Sequence, residues 1–282
     1  MTQFLSPPSN NDFLAHCSRG STPQVVSLVG AGGKTSTLFW LANALYQRGA
    51  RVLITTTTRM QFPDPRIGTQ CIIEADFETK LARINALGKS PGITALFSVF
   101  DEHLQKVAGC LPVEVDALKA AGVADVILVE ADGANHLALK APAEHEPCIP
   151  ASSDVVTALT GSEAILRPAQ ATNIHRWAKF SELTGVREGE ILDAAVFERL
   201  LTHPQGMFKN TPAGALRHWL INDHSTGDGT YNRTENSAIL AMLESLKLAD
   251  LALDGLWLGD MRNPNPFTHA WVRNNTMQKD FR

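Results

Sequence analysis

Residues 30–36 read Gly-Ala-Gly-Gly-Lys-Thr-Ser, a set of residue types suited to gripping a chain of phosphates. Glycine lets the backbone take positive φ and approach an oxyanion with no Cβ in the way. A lysine placed after such a loop reaches β- and γ-phosphates, and the hydroxyl that follows can ligate Mg²⁺. The common spacing, G-x-x-x-x-G-K-[ST], would put its first glycine at position 28, but that residue is Leu28. The loop instead starts at Gly30, in a shortened G-x-x-G-K-[ST] form. A lysine in the first turn of a helix is disfavoured by the helix dipole. An anionic ligand is the expected reason for Lys34, whose side chain is then expected near the surface. Gly30, Ala31, Gly32, Gly33, Lys34, Thr35 and Ser36 are therefore candidate contacts to a Mg²⁺-nucleotide.

Two further segments carry groups of the right kind. VLITTTTRM (52–60) ends an apolar run in four threonines and an arginine. Ligands of open parallel sheets bind beyond the carboxyl ends of the strands, so Thr57 and Thr58 are candidates for Mg²⁺ or phosphate, and Arg59 for charge neutralisation during phosphoryl transfer. A solvated strand end is the plainer reading of the threonines. VILVEADGANHLALKAPAEHEPCIP (126–150) ends a second apolar run in Glu130, with Asp132 two residues on and so on the same side of an extended chain. Glu130 is a candidate to orient or deprotonate a nucleophile, and Asp132, with Thr35, to hold Mg²⁺. Lys34, Glu130 and Asp132 form the candidate catalytic set. Lys140 and His145 follow in a Pro-bounded loop that reads as substrate-facing. A metal site at Glu144-His145-Glu146 is disfavoured, since sequential residues rarely converge on one ion.

These groups need a scaffold, and the hydrophobic pattern supplies one. VVSLV (25–29), RVLITT (51–56), ITALFSV (93–99), VILVE (126–130), VVTAL (155–159), HWLIN (218–222) and GLWLG (255–259) read as strands. Between Lys34 and Arg48, Leu38, Leu41, Ala42 and Leu45 fall at helical spacing, with Gly49 as a stop. Further helices are expected at 112–121, 176–185, 188–202 and 233–248. The alternation predicts an α/β fold, a mainly parallel sheet flanked by helices, in one domain spanning 1–282. Residues 1–22 are expected to be peripheral or poorly ordered.

Bulk properties narrow the function classes. The chain has 282 residues, 44% of them hydrophobic, enough for a large core. A net charge of −4 with no Lys/Arg run argues against nucleic acid. Cys17, Cys71, Cys110 and Cys148 are scattered, with no C-x-x-C pair, as in a reducing compartment. Neither a signal peptide nor a membrane-spanning run is apparent, so the chain reads as soluble and cytoplasmic.

Taken together, G-A-G-G-K-T-S (30–36), T-T-T-T-R (55–59), E-A-D-G (130–133), L-K-A-P-A-E-H-E-P (139–147), N-I-H-R (173–176) and H-P-x-G with the lysine at 209 resemble the YqeC-type family. The resemblance implies a P-loop nucleotide-binding protein that serves maturation of selenium-dependent molybdenum hydroxylases or their cofactor. It adds His175 and Arg176 to Lys140 and His145 as residues facing a second substrate. The loop alone is also similar to the ATP loop of Mur-type ligases. Asn222-Asp223 departs from an N-K-x-D guanine reader, so ATP is the expected nucleotide. An ATPase or phosphotransferase, a small-molecule kinase or ligase, and a nucleotide-gated carrier all fit these residues.

Overall fold

The computed structural model describes residues 10–20, 23–62, 69–223 and 233–273. In chain order it begins with helix α1 (Asn10–Cys17), strand β1 (Gln24–Gly30), helix α2 (Lys34–Tyr46), and strands β2 (Arg51–Thr56), β3 (Arg59–Gln61) and β4 (Gln70–Ile73). Next come α3 (Phe77–Asn85), β5 (Gly92–Phe97), β6 (Val99–Asp101), β7 (Lys106–Ala108), α4 (Pro112–Ala120) and β8 (Val126–Glu130). Strands β9 (Leu139–Lys140), β10 (Val155–Gly161) and β11 (Ile174–His175) precede helices α5 (Trp177–Thr184) and α6 (Ala194–Thr202). The described chain closes with β12 (Leu216–Asn222), α7 (Arg233–Ser245), β13 (Gly255–Gly259) and β14 (Phe267–Val272).

Nine strands form one sheet in the order β14-β13-β12-β10-β1-β8-β2-β5-β4. Only the β13–β14 pair is antiparallel; every other neighbour runs parallel. This is an α/β, P-loop NTPase-like fold. Strand β1 lies between β8 and β10, and the following strand, β2, lies beyond β8 while β12 lies beyond β10. Such a reversal of direction opens a crevice at the carboxyl ends of the central strands.

The central strands are apolar on both faces, as helices on both sides require. In β1, Val25 and Val29 enter one core cluster, while Val26 and Leu28 enter the other. Leu38, Leu41, Ala42 and Leu45 of α2 are buried in that second cluster, so the expected stripe is the packed face. It ends at Tyr46, and Gly49 takes φ 85° in the turn that follows.

Two expectations are corrected. The amino-terminal segment is not peripheral where it is described. Helix α1 buries Phe13, Leu14 and Cys17, and Phe13 packs against Trp257 and Phe267 at 5.0 Å from each. The helix expected at 188–202 begins only at Ala194, because the Asp193 carboxylate accepts the Val196 N–H at 3.1 Å and caps it. The threonine strand ends at Thr56, as the expected strand 51–56 does. The chain turns at Thr57-Thr58 and re-forms as β3, in a separate ribbon of order β3-β7-β6. Among the described residues, no helix is long and apolar enough to cross a membrane.

Candidate functional site

The glycine loop joins the end of β1 to α2. Gly30, Gly32 and Gly33 take φ of 89°, 78° and 109°, the left-handed region where side chains are strained. Close packing makes two of them doubly necessary. A Cβ on Gly30 would lie 2.4 Å from the Leu159 carbonyl oxygen, and one on Gly32 would lie 2.2 Å from the Gly161 nitrogen.

The loop's backbone donors divide into two groups. The Gly30 N–H donates to Asp132 Oδ2 at 2.9 Å, the Ala31 N–H to Leu159 O at 3.0 Å and the Gly32 N–H to Leu137 O at 3.1 Å. Those three shape the loop. The donors left to meet an anion lie further on, at Lys34, Thr35 and Ser36, where the first turn of a helix has no internal acceptor. The side chain of Asn222, at the end of β12, donates to Gly32 O at 2.9 Å and fixes the loop from its other side. Asn222 thus serves the loop backbone, and the rest of the segment considered as a guanine reader, 224–228, lies outside the described residues.

Strand β8 and the turn after it deliver Glu130 and Asp132 to this loop, as their two-residue spacing predicts. Glu130 Oε2 accepts the Thr35 hydroxyl at 2.8 Å. Burial raises the Glu130 carboxyl above its ordinary value, with Lys34 and the Thr35 hydrogen bond opposing. Asp132 is buried beneath the loop and meets Lys34 Nζ at 3.1 Å and Lys140 Nζ at 2.9 Å.

Lys34 is therefore not near the surface. Its side chain is only 4% exposed, and its ammonium donates to Gly30 O at 2.6 Å as well as facing Asp132. The negative charge that offsets the helix dipole here is Asp132.

The buried ion network continues outward. Lys140 also meets Glu146 Oε2 at 2.7 Å, and Arg176 Nη1 meets the same oxygen at 2.8 Å. Burial alone would raise the Glu146 carboxyl, but Lys140 and Arg176 outweigh it and hold the group down at about 2. The loop carrying Glu146 is pinned by Lys209, whose ammonium donates to Ala143 O at 2.8 Å and Glu144 O at 2.7 Å.

A cleft of about 460 Å³ opens over the head of α2. Its lining includes Gly32–Ser36, Glu130, Arg59 and His175 from the expected set. Burial, then Arg176 and Lys140, hold the His175 imidazole below its ordinary value, against the opposing pull of Glu146 and Asp132. Other expected residues stand elsewhere. Thr57 donates its hydroxyl to Cys148 O at 2.7 Å, and Thr58 pairs with the Thr56 hydroxyl at 3.3 Å. Lys140 and Arg176 belong to the ion network, and His145 is exposed away from the cleft lining. The Cys148 thiol is raised by burial and by Glu146 and Asp132, so it stays protonated at neutral pH.

Sequence reasoning missed Gln61, Lys106, Asn135, His136 and Glu163, which also line the cleft. Asn135 and His136 had one readable signal, their place just after E-A-D-G. Lys106 had none, since it arrives through the pairing of two three-residue strands.

The family model described as YqeC protein matches residues 26–178, which hold the loop, both acids, Lys140 and Arg176. A protein of Escherichia coli (strain K12), named there as uncharacterized protein YqeC, is 39% identical over 250 residues, covering 89% of this chain and 92% of its own. The chain belongs to the YqeC family.

Proposed function

We propose that the cleft binds Mg²⁺-ATP and that the protein hydrolyses it or transfers its terminal phosphate. The observation that carries this is the Thr35–Glu130 hydrogen bond of 2.8 Å at the head of α2, directly after a loop that only glycines can form. A hydroxyl at the helix start beside a carboxylate at the end of the neighbouring strand is the oxygen pair that octahedral Mg²⁺ takes in P-loop sites. Thr35 and Glu130 are thus the residues that would hold the ion. Asp132 is reassigned from metal ligand to counter-ion of Lys34 and Lys140, because both its oxygens are already engaged. The amides of 34–36 and the Lys34 ammonium would hold the phosphates, so Lys34 must exchange Gly30 O and Asp132 for a phosphate oxygen. Bound Mg²⁺ would neutralise charge on the transferred group. The family resemblance supports a cytoplasmic role in maturing a molybdenum hydroxylase, with that enzyme or a precursor of its cofactor as partner.

Fluorescent ATP-analogue binding with and without Mg²⁺ tests the assignment. Wild-type affinity should rise with Mg²⁺, and Thr35→Ala should abolish the rise. Identical wild-type affinity in both conditions, or a folded Lys34→Ala variant binding as well as wild type, would sink it.

A further inference from the structure

The ribbon β3–β7 presents one polar face to the cleft. Arg59 and Gln61 are two residues apart on β3 and so share a face, and Lys106 pairs directly opposite Gln61. Met60 and Val107 pair with each other on the other face and are buried at 3% and 0% exposure. The register therefore turns Arg59, Gln61 and Lys106 together toward the cleft they line. Among the described residues, neither the Arg59 guanidinium nor the Lys106 ammonium has an ion-pair partner. Lys34 differs, since Asp132 already neutralises it.

Position separates these cations from the phosphate loop. Across the sheet the order is β1, β8, β2. The loop leaves β1, Glu130 ends β8, and the ribbon leaves β2. With strands about 4.8 Å apart, the ribbon starts roughly 10 Å from the loop, with the Glu130 carboxylate between. A phosphate held by the amides of α2 lies on one side of Glu130, and Arg59, Gln61 and Lys106 lie on the other. His136 lines the same cleft.

Building on the nucleotide reading above, we propose that the Arg59–Gln61–Lys106 face binds the anionic end of the second substrate. The class of that substrate is a small molecule bearing a phosphate or carboxylate group. Two cations flanking one amide suit a planar or tetrahedral oxyanion, the arginine by its fork and the lysine as a point charge. The wall places such a group across Glu130 from the terminal phosphate, where an acceptor approaches.

The test uses the full chain saturated with Mg²⁺ and a non-hydrolysable ATP analogue. Binding of inorganic phosphate is read by ³¹P line broadening, and binding of succinate by ¹H saturation transfer. At least one probe should bind saturably, and the two arms tell phosphate from carboxylate. Lys106→Ala and Arg59→Ala should each weaken that probe by about tenfold, with Lys106→Arg retaining most of it. Analogue affinity should stay within about twofold of wild type in both Lys106 variants. Absence of probe binding, or probe binding indifferent to Lys106→Ala, overturns the proposal. So does an equal loss of analogue affinity, which would give the ribbon to the nucleotide. If the analogue does not bind wild type, the nucleotide reading falls by itself. Probe titration without it still decides the ribbon, by whether Lys106→Ala removes the binding.

Discussion

Asp132 organises the site at the scale of single residues, because it accepts from the Gly30 amide and faces two lysines while almost wholly buried. Removing its charge strands the buried Lys34 ammonium, in a medium where an unpaired charge costs several kcal/mol, and leaves Lys140 with Glu146 alone. Asp132→Asn should therefore cost about 3–5 kcal/mol of stability, read as a lowered denaturant midpoint. Lys34→Ala should cost less, about 1–3 kcal/mol, since Asp132 keeps Lys140 and the Gly30 N–H. The ordering of these two midpoints checks the network. It also separates a stabilising role for Lys34 from a ligand role, which only nucleotide affinity reports. The sequence showed both acids and their common side, yet not the Lys34–Asp132 pair. Residues so far apart meet only through the β1–β8 register, and a lysine after glycines reads the same whether its anion is internal or bound.

At the scale of elements, the glycine loop works because nothing protrudes from it. Gly32→Ala would drive a Cβ into the Gly161 backbone at 2.2 Å in a left-handed conformation. Backbone cannot yield as a side-chain tip does, so the loop must shift. We expect a loss of more than about 2 kcal/mol and of nucleotide binding together. Gly133→Ala is the control, since its nearest neighbour would be a carboxylate oxygen at 4.0 Å. Long buried strands were legible to the residue, β8 at 126–130 and β13 at 255–259, because a parallel strand covered on both faces is a continuous apolar run. The ribbon was not, because strands of three residues are too short to display a period. Helix α1 was missed for a different reason. Its eight residues carry one small apolar face among asparagines, and only the aromatic cluster it covers reveals its place.

For the molecule as a whole, that cover is tied to pH. His16 on α1 and His218 on β12 meet at 2.9 Å inside the aromatic cluster. Burial lowers His16 from 6.5 to about 4, assisted by Arg19 and opposed by Asp254 and Asp12, and burial followed by His16 and Arg19 lowers His218 well below 6.5. Both are neutral when folded, so the unfolded chain binds more protons below pH 6.5, and stability falls as the pH drops from 6.5 toward 4. Glu146 acts in a lower window. Its contribution is complete above 4.5 and is lost as the pH falls through about 2. Denaturant midpoints from pH 7 to pH 2 should show two successive declines. His16→Phe should shrink the first, leaving the share of His218, and Glu146→Gln should flatten the second. Phe13→Ala should cost about 3–5 kcal/mol at neutral pH, since the ring is fully buried between Trp257 and Phe267.

The hydrogen bond from Asn222 to Gly32 O sets a limit on cutting this protein into working parts. The segment matched to the family, 26–178, contains the glycine loop and its acids but stops before β12. A fragment ending there would own every group proposed to meet the phosphates and lack the strand that keeps Gly32 in place. Co-expressed as a separate piece, residues 179–282 should restore nucleotide affinity to such a fragment, and the same piece carrying Asn222→Ala should restore it poorly.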